Sequence, residues 1–134
     1  MNMRIRWVTV TLLAAGLLSG CERGERAAGG NPLHLPPPGF VGDGRKGAVV
    51  YRQNCQICHG AGAAGTDQGP SLLRDIYAPG RHANLAFHLA VKNGVKAHHD
   101  NKGDMPPLEV SPEDVEHVIQ YVRELQVKAG VFRP

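Results

Sequence analysis

One pentapeptide constrains this chain more than anything else in it: Cys55-Gln56-Ile57-Cys58-His59. Two cysteines three positions apart, followed at once by a histidine, form the attachment signature for a covalently bound haem. Thiols at that spacing can form thioethers to the two vinyl groups of one porphyrin. The histidine after them then stands where an imidazole nitrogen reaches the iron from one side. Two other chemistries use paired cysteines. A redox dithiol follows a strand and opens a helix in an alternating β/α pattern, and no such alternation is present. A structural zinc site needs four ligands, yet the sequence has no second cysteine pair, and the adjacent His98 and His99 lack the usual ligand spacing. A chain built on this motif has to enclose a large, flat, apolar group.

The start of the chain reads as an address. Arg4 and Arg6 precede an apolar run over residues 7–18, interrupted only by Thr9, Thr11 and Gly16. That run falls short of the roughly 20 apolar residues a permanent span requires. Leu18-Ser19-Gly20-Cys21 resembles the lipobox of bacterial lipoproteins, which implies acylation of Cys21 as the new N-terminus. Of the three cysteines, two belong to the haem motif, so Cys21 has no disulfide partner and acylation removes an otherwise reactive thiol. Residues 1–20 are therefore expected to be a lipoprotein signal peptide, with the mature protein lipid-anchored on the periplasmic side of a bacterial membrane. Residues 21–41 are rich in Gly and Pro, including Pro36-Pro37-Pro38, and read as an extended tether. Residues 42–130 then form one domain.

Charge excludes one partner class. The formal net charge of +3 loses Arg4 and Arg6 with the signal, leaving the mature chain near neutrality and without the clustered basic face of a nucleic-acid binder.

Helices dominate the rest. Gly44–Asn54 leads into the haem motif, with Gly47 and Tyr51 one turn apart on one face. Residues 83–93 carry Leu85, Ala86, Leu89 and Ala90 and stop at Asn93-Gly94. Ser111-Pro112-Glu113-Asp114 opens a last helix with a capping hydroxyl, a proline at the first position and acids in the first turn. Val115, Val118, Ile119, Val122 and Leu125 follow as one apolar stripe. His82, His88 and His117 read as surface or helix-face residues, residues 60–69 as a loop, and no period-2 strand pattern is present.

The second iron ligand can be approached by elimination. Met1 and Met3 leave with the signal, so Met105, in Lys102-Gly103-Asp104-Met105-Pro106-Pro107, is the one methionine of the mature chain. Its thioether is a soft ligand, and flanking prolines stiffen its loop. His98 and His99 are the competing ligands on the residues alone.

Residues 42–128 resemble the class I cytochromes c. The likeness rests on the Cys55 to His59 motif, on Gly69-Pro70 followed by Ser71-Leu72-Leu73, on Gly103-Asp104-Met105-Pro106-Pro107, and on Gly47 and Tyr121 as a helix-crossing pair. It implies an all-α, cytochrome c-like fold of three main helices wrapped around one covalently bound haem c. It further implies His59 and Met105 as the axial pair, and a Pro70 carbonyl that accepts the other ring N–H of His59.

With both axial positions filled, the expected function is one-electron transfer without catalysis by the chain itself. The expectation is a membrane-tethered periplasmic carrier between a redox-protein donor and acceptor. One alternative is a haem subunit of a larger oxidoreductase complex, which would show an apolar docking face that no surface stripe in the sequence announces. The other is a small haem enzyme or gas sensor with a displaceable sixth ligand.

Overall fold

The computed structural model describes residues 30–99 and 102–134. The segment read as a signal peptide, Cys21 and the first part of the stretch read as a tether lie outside the described residues.

Among the described residues four α-helices carry the fold: α1 (Gly44–Asn54), α2 (Gln56–His59), α3 (Asn84–Asn93) and α4 (Pro112–Lys128). α2 is a single turn, so α1, α3 and α4 are the three main helices. Two short 3-10 turns, Ala61–Ala63 and Asp75–Tyr77, lie in the long connection between α2 and α3. Among the described residues the β pairing is one isolated antiparallel bridge between Val95 and Met105. The fold is all-α, as the sequence implied.

α1 and α4 begin where a side chain satisfies open N–H groups of the first turn. Asp43 Oδ1 accepts from the N–H of Arg45 at 2.8 Å and of Lys46 at 3.2 Å. Ser111 Oγ accepts from the N–H of Asp114 at 3.1 Å, and Pro112 stands at the first helical position. α3 ends on Gly94 at φ +71°, a backbone state glycine adopts without steric cost.

The centre of the fold is the crossing of α1 and α4. A Cβ on Gly47 would lie 1.9 Å from the carbonyl oxygen of His117 and 3.0 Å from Tyr121 Cβ, so only glycine permits this approach. One turn further along α1, the fully buried Tyr51 sets its ring 5.3 Å from that of Tyr121. Tyr51, Leu72, Val118 and Val122 form the buried cluster, with Leu125 partly buried against it. Val115 and Ile119 are also buried, so the stripe read from the sequence is the buried face of α4.

One expectation requires correction. His88 and His117 are not surface residues: His88 is completely buried and His117 nearly so. His88 Nε2 lies 2.9 Å from Glu116 Oε2 on α4, and His117 Nδ1 accepts the Asp43 N–H at 2.8 Å. In each case another element supplies the polar partner that makes burial tolerable, and a periodicity read along one helix cannot see that partner. The described part of the stretch read as tether also lies along the domain. His34 Nε2 donates to the Val110 carbonyl at 2.8 Å, Lys92 Nζ donates to the Asn31 carbonyl at 2.6 Å, and Phe40 stacks against His117.

A polar knot on α4 fastens the connection that precedes α3. The buried Arg123 donates to the carbonyls of Tyr77 at 2.7 Å and His82 at 2.5 Å, to Asn84 Oδ1 at 3.2 Å and to Gln126 Oε1 at 2.7 Å. Gln126 Nε2 donates to the Leu72 carbonyl at 2.7 Å. The guanidinium also lies 4.9 Å from the centre of the Phe87 ring. No helix among the described residues is long and apolar enough to cross a membrane.

Candidate haem cavity

The helices enclose a cavity of about 640 Å³. Cys55, Cys58, His59 and Met105 all line it. Leu72, Phe87, Leu89, Ala90, Val115 and Val118 contribute an apolar lining. A cavity of this size and polarity suits a large planar apolar ligand.

The motif is placed by the end of α1. The Cys55 N–H donates to the Tyr51 carbonyl at 2.9 Å, and the His59 N–H donates to the Cys55 carbonyl at 2.9 Å, so the pentapeptide coils into the turn of α2. Both cysteines are half-buried and are not joined to one another. Burial, with Cys58 beside it, pushes the Cys55 thiol up to about 11. A reactive redox dithiol has the opposite shift, toward thiolate.

His59 is oriented by the loop that follows the motif. Its Nδ1–H donates to the Pro70 carbonyl at 2.9 Å, which leaves Nε2 as the nitrogen with a lone pair to offer. Gly69 permits this: a Cβ there would lie 2.6 Å from the Cys58 carbonyl oxygen. Thr66 Oγ1 donates to that same oxygen at 2.6 Å, and Tyr51 Oη donates to the Gly60 carbonyl at 2.9 Å. The loop after the motif is thus tied back under it from both sides. Burial raises the Tyr51 phenol well above its ordinary value, so it remains a donor.

Met105 is held by its backbone. Its N–H and carbonyl exchange hydrogen bonds with Val95, each at 2.9 Å, and the Leu108 N–H donates to the Val91 carbonyl at 2.8 Å. Asp104 Oδ1 accepts from the Ala97 N–H at 3.0 Å, while Asp104 Oδ2 pairs with Lys96 Nζ at 2.5 Å. Lys102 Nζ donates to the Thr66 carbonyl and so joins the methionine loop to the loop after His59. His98 and His99 reach the same cavity, where they gather with His82.

The donor set fits a haem. Two thiols at the thioether spacing, an imidazole whose other nitrogen is already engaged, a thioether and an apolar enclosure meet in one cavity. Sequence reading missed the Arg123–Gln126 knot, the Lys102–Thr66 link and the place of His82 in the cavity wall. The first had a signal. Ile119 to Arg123 and Val122 to Gln126 are steps of four, which carry these polar residues onto the apolar stripe where a long polar side chain needs buried partners.

Residues 42–122 match the family model described as cytochrome C oxidase, cbb3-type, subunit III. The chain is 31% identical over 86 residues to the cbb3-type cytochrome c oxidase subunit CcoP of Cereibacter sphaeroides, a match that covers 59% of this chain and 29% of that protein. It is 32% identical over 84 residues to subunit FixP of Sinorhizobium medicae, again across 59% of this chain and 29% of the relative. For CcoP of Rubrivivax gelatinosus the identity is 33% over 82 residues, covering 59% and 25%. The match thus spans less than a third of each relative's length. No solved structure matches the chain.

Proposed function

The chain belongs to the family of cbb3-type cytochrome c oxidase subunit III, a family of c-type cytochromes, and on that premise we propose that it is a haem-bearing electron-transfer subunit of a larger oxidoreductase complex. In this reading Cys55 and Cys58 would hold one haem c covalently, and His59 Nε2 and the Met105 sulfur would ligate its iron. The observation that carries it is the meeting of all four side chains in one apolar cavity, with His59 Nδ1 already engaged by Pro70.

A haem c held here supplies an iron that accepts and releases one electron. The chain's own residues do the rest. Pro70 fixes the imidazole tautomer and its orientation through the 2.9 Å bond. The Val95 pairing and the Lys96–Asp104 ion pair hold the Met105 loop and so position its sulfur. The apolar lining excludes water, which together with methionine ligation favours a high potential. With His59 and Met105 both engaged, a haem held here would offer no open position for a substrate, so the chain would transfer electrons and not itself catalyse.

The names of the relatives, all oxidase subunits, support a subunit reading over a free shuttle. We place the chain on the periplasmic side of a bacterial membrane, anchored through a lipid on Cys21. Mass spectrometry of the processed chain tests the anchor by the mass added at that cysteine. The optical spectrum of the oxidised holoprotein, followed by carbon monoxide on the reduced form, tests the ligation. A weak long-wavelength sulfur-to-iron band without rapid carbon monoxide binding supports the assignment. Its absence, with ready carbon monoxide binding, replaces this reading with the sensor or small-enzyme alternative. Native electrophoresis of detergent-solubilised membranes distinguishes subunit from shuttle: a haem-staining band at the mass of a large complex supports the first, and migration at 14.4 kDa or below supports the second.

A further inference from the structure

His82, His98 and His99 come from opposite ends of α3, yet each offers a ring nitrogen within 4.8 Å of the other two. His82 precedes the helix, and His98 and His99 follow the Val95 bridge beyond it. Nothing in the haem chemistry above uses these three imidazoles together. We propose that they form a binding site for a divalent transition-metal ion of the zinc or copper(II) class at the rim of the haem cavity.

Ligand chemistry selects that class of ion. Imidazole nitrogens suit zinc and copper, whereas magnesium and calcium require oxygen ligands. Two of the rings are already set as metal-binding histidines are usually set, with one nitrogen donating to a carbonyl and the other left to ligate. His82 Nδ1–H donates to the Ile76 carbonyl at 2.6 Å, and His98 Nδ1–H donates to the Lys96 carbonyl at 2.8 Å. Each therefore presents Nε2 with its lone pair. These two carbonyls are observations separate from the clustering, and they fix the tautomer that a ligand needs.

The remaining adjustment is small. Zinc–nitrogen bonds of about 2.0–2.1 Å in a tetrahedral site put ligand nitrogens roughly 3.3 Å apart. His98 and His99 are exposed, so rotating their rings inward from 4.8 Å meets little resistance. The nearby ammonium of Lys96 is engaged by Asp104 and does not compete as an unpaired cation. Three nitrogens leave a fourth coordination position for water, the arrangement of an open site and not of a closed structural one. An ion bound here would clip the connection before α3 to the loop after it, both of which border the cavity.

Isothermal titration of zinc chloride into the haem-loaded full chain tests the inference, with His82→Asn and His98→Asn as variants. Their haem spectra confirm that the fold is retained. Replacing even a residue that only orients a ligand costs about 10–100-fold in metal affinity, so loss of a ligand should cost at least as much. The expected result is one saturable zinc per chain, weakened at least tenfold in each variant, with X-ray absorption showing imidazole nitrogens at the bonding distance. Absence of saturable binding overturns the proposal. So does zinc binding that neither variant weakens, which would place the ion elsewhere on the chain.

Discussion

Gly47 on α1 lies directly beneath the carbonyl oxygen of His117 on α4, so close that a β-carbon at position 47 would fall 1.9 Å from it. The obstructing atom belongs to the helix backbone and cannot swing aside as a side-chain tip would. Gly47→Ala should therefore force α1 and α4 apart and cost about 1–3 kcal/mol, the range for overpacking a tight contact, or more. Urea titration of the holoprotein checks this through a lower midpoint at unchanged slope. Because Tyr51 sits one turn further on the same crossing, the separation should also weaken the Tyr51 bond to the Gly60 carbonyl beneath the haem motif.

Arg123 holds a different kind of contact. Replacing it with Met keeps most of its length but removes donors from the carbonyls of Tyr77 and His82. The Tyr77 carbonyl keeps the Gln126 Nε2 donor at 3.1 Å, so the His82 carbonyl is the backbone acceptor left open. An unsatisfied buried acceptor costs about 1–3 kcal/mol, and a loss of about 2 kcal/mol is expected. Gln126→Leu removes the bond to the Leu72 carbonyl and the acceptor for Arg123 Nη1. A double-mutant cycle should show the two changes to be non-additive by more than about 0.5 kcal/mol, since they share one network. Strict additivity would mean the two side chains act separately.

The sequence disclosed much of this fold because its strongest signals are local. The helices at Gly44–Asn54 and Pro112–Lys128 have their caps and apolar stripes within their own residues, and the third starts one residue later than read. The haem motif, Pro70 and Met105 were legible because each stands in a short distinctive string, and the structure gathers all of them at one cavity. Histidines were not legible in the same way. The burial of His88 and His117 was not legible because their partners, Glu116 and the Asp43 amide, are supplied across helix contacts. The approach of His82 to His98 and His99 is likewise invisible along the chain, since α3 separates them in sequence while the Met105 loop folds back to bring them together.

The cap of α1 carries a pH signature. Asp43 is held below the usual carboxylate range chiefly by the amides of Lys46 and Arg45, which bond its ionised form. A carboxyl with a depressed folded-state pKa contributes stability that is fully present above the unfolded value, here 3.8, and is lost as pH falls through the lower folded value. Asp43→Asn keeps a capping oxygen but does not titrate. Wild type should thus exceed the variant in stability from pH 5 upward, with the gap closing below about pH 4. Thermal midpoints across pH 3 to 6 check this, and a gap that widens in acid would contradict it.

Met105 offers the sharpest test of the ligand set. Its backbone pairing with Val95, and the Leu108 bond to the Val91 carbonyl behind it, do not depend on the side chain. Met105→Ala should accordingly leave the loop in place and remove only the sulfur. Three consequences are expected together. The long-wavelength band of the oxidised protein disappears, the reduced form binds carbon monoxide rapidly, and the reduction potential falls, by a sizeable part of the roughly 0.8 V that axial ligands command. His98→Ala and His99→Ala provide the comparison, because these residues border the same cavity and are the rival ligands. If Met105 binds the iron, neither histidine variant alters the spectrum or admits carbon monoxide. Should a histidine variant produce those changes while Met105→Ala does not, the second axial ligand is an imidazole from the cluster beside α3, and the high potential expected of His/Met ligation must be abandoned with it.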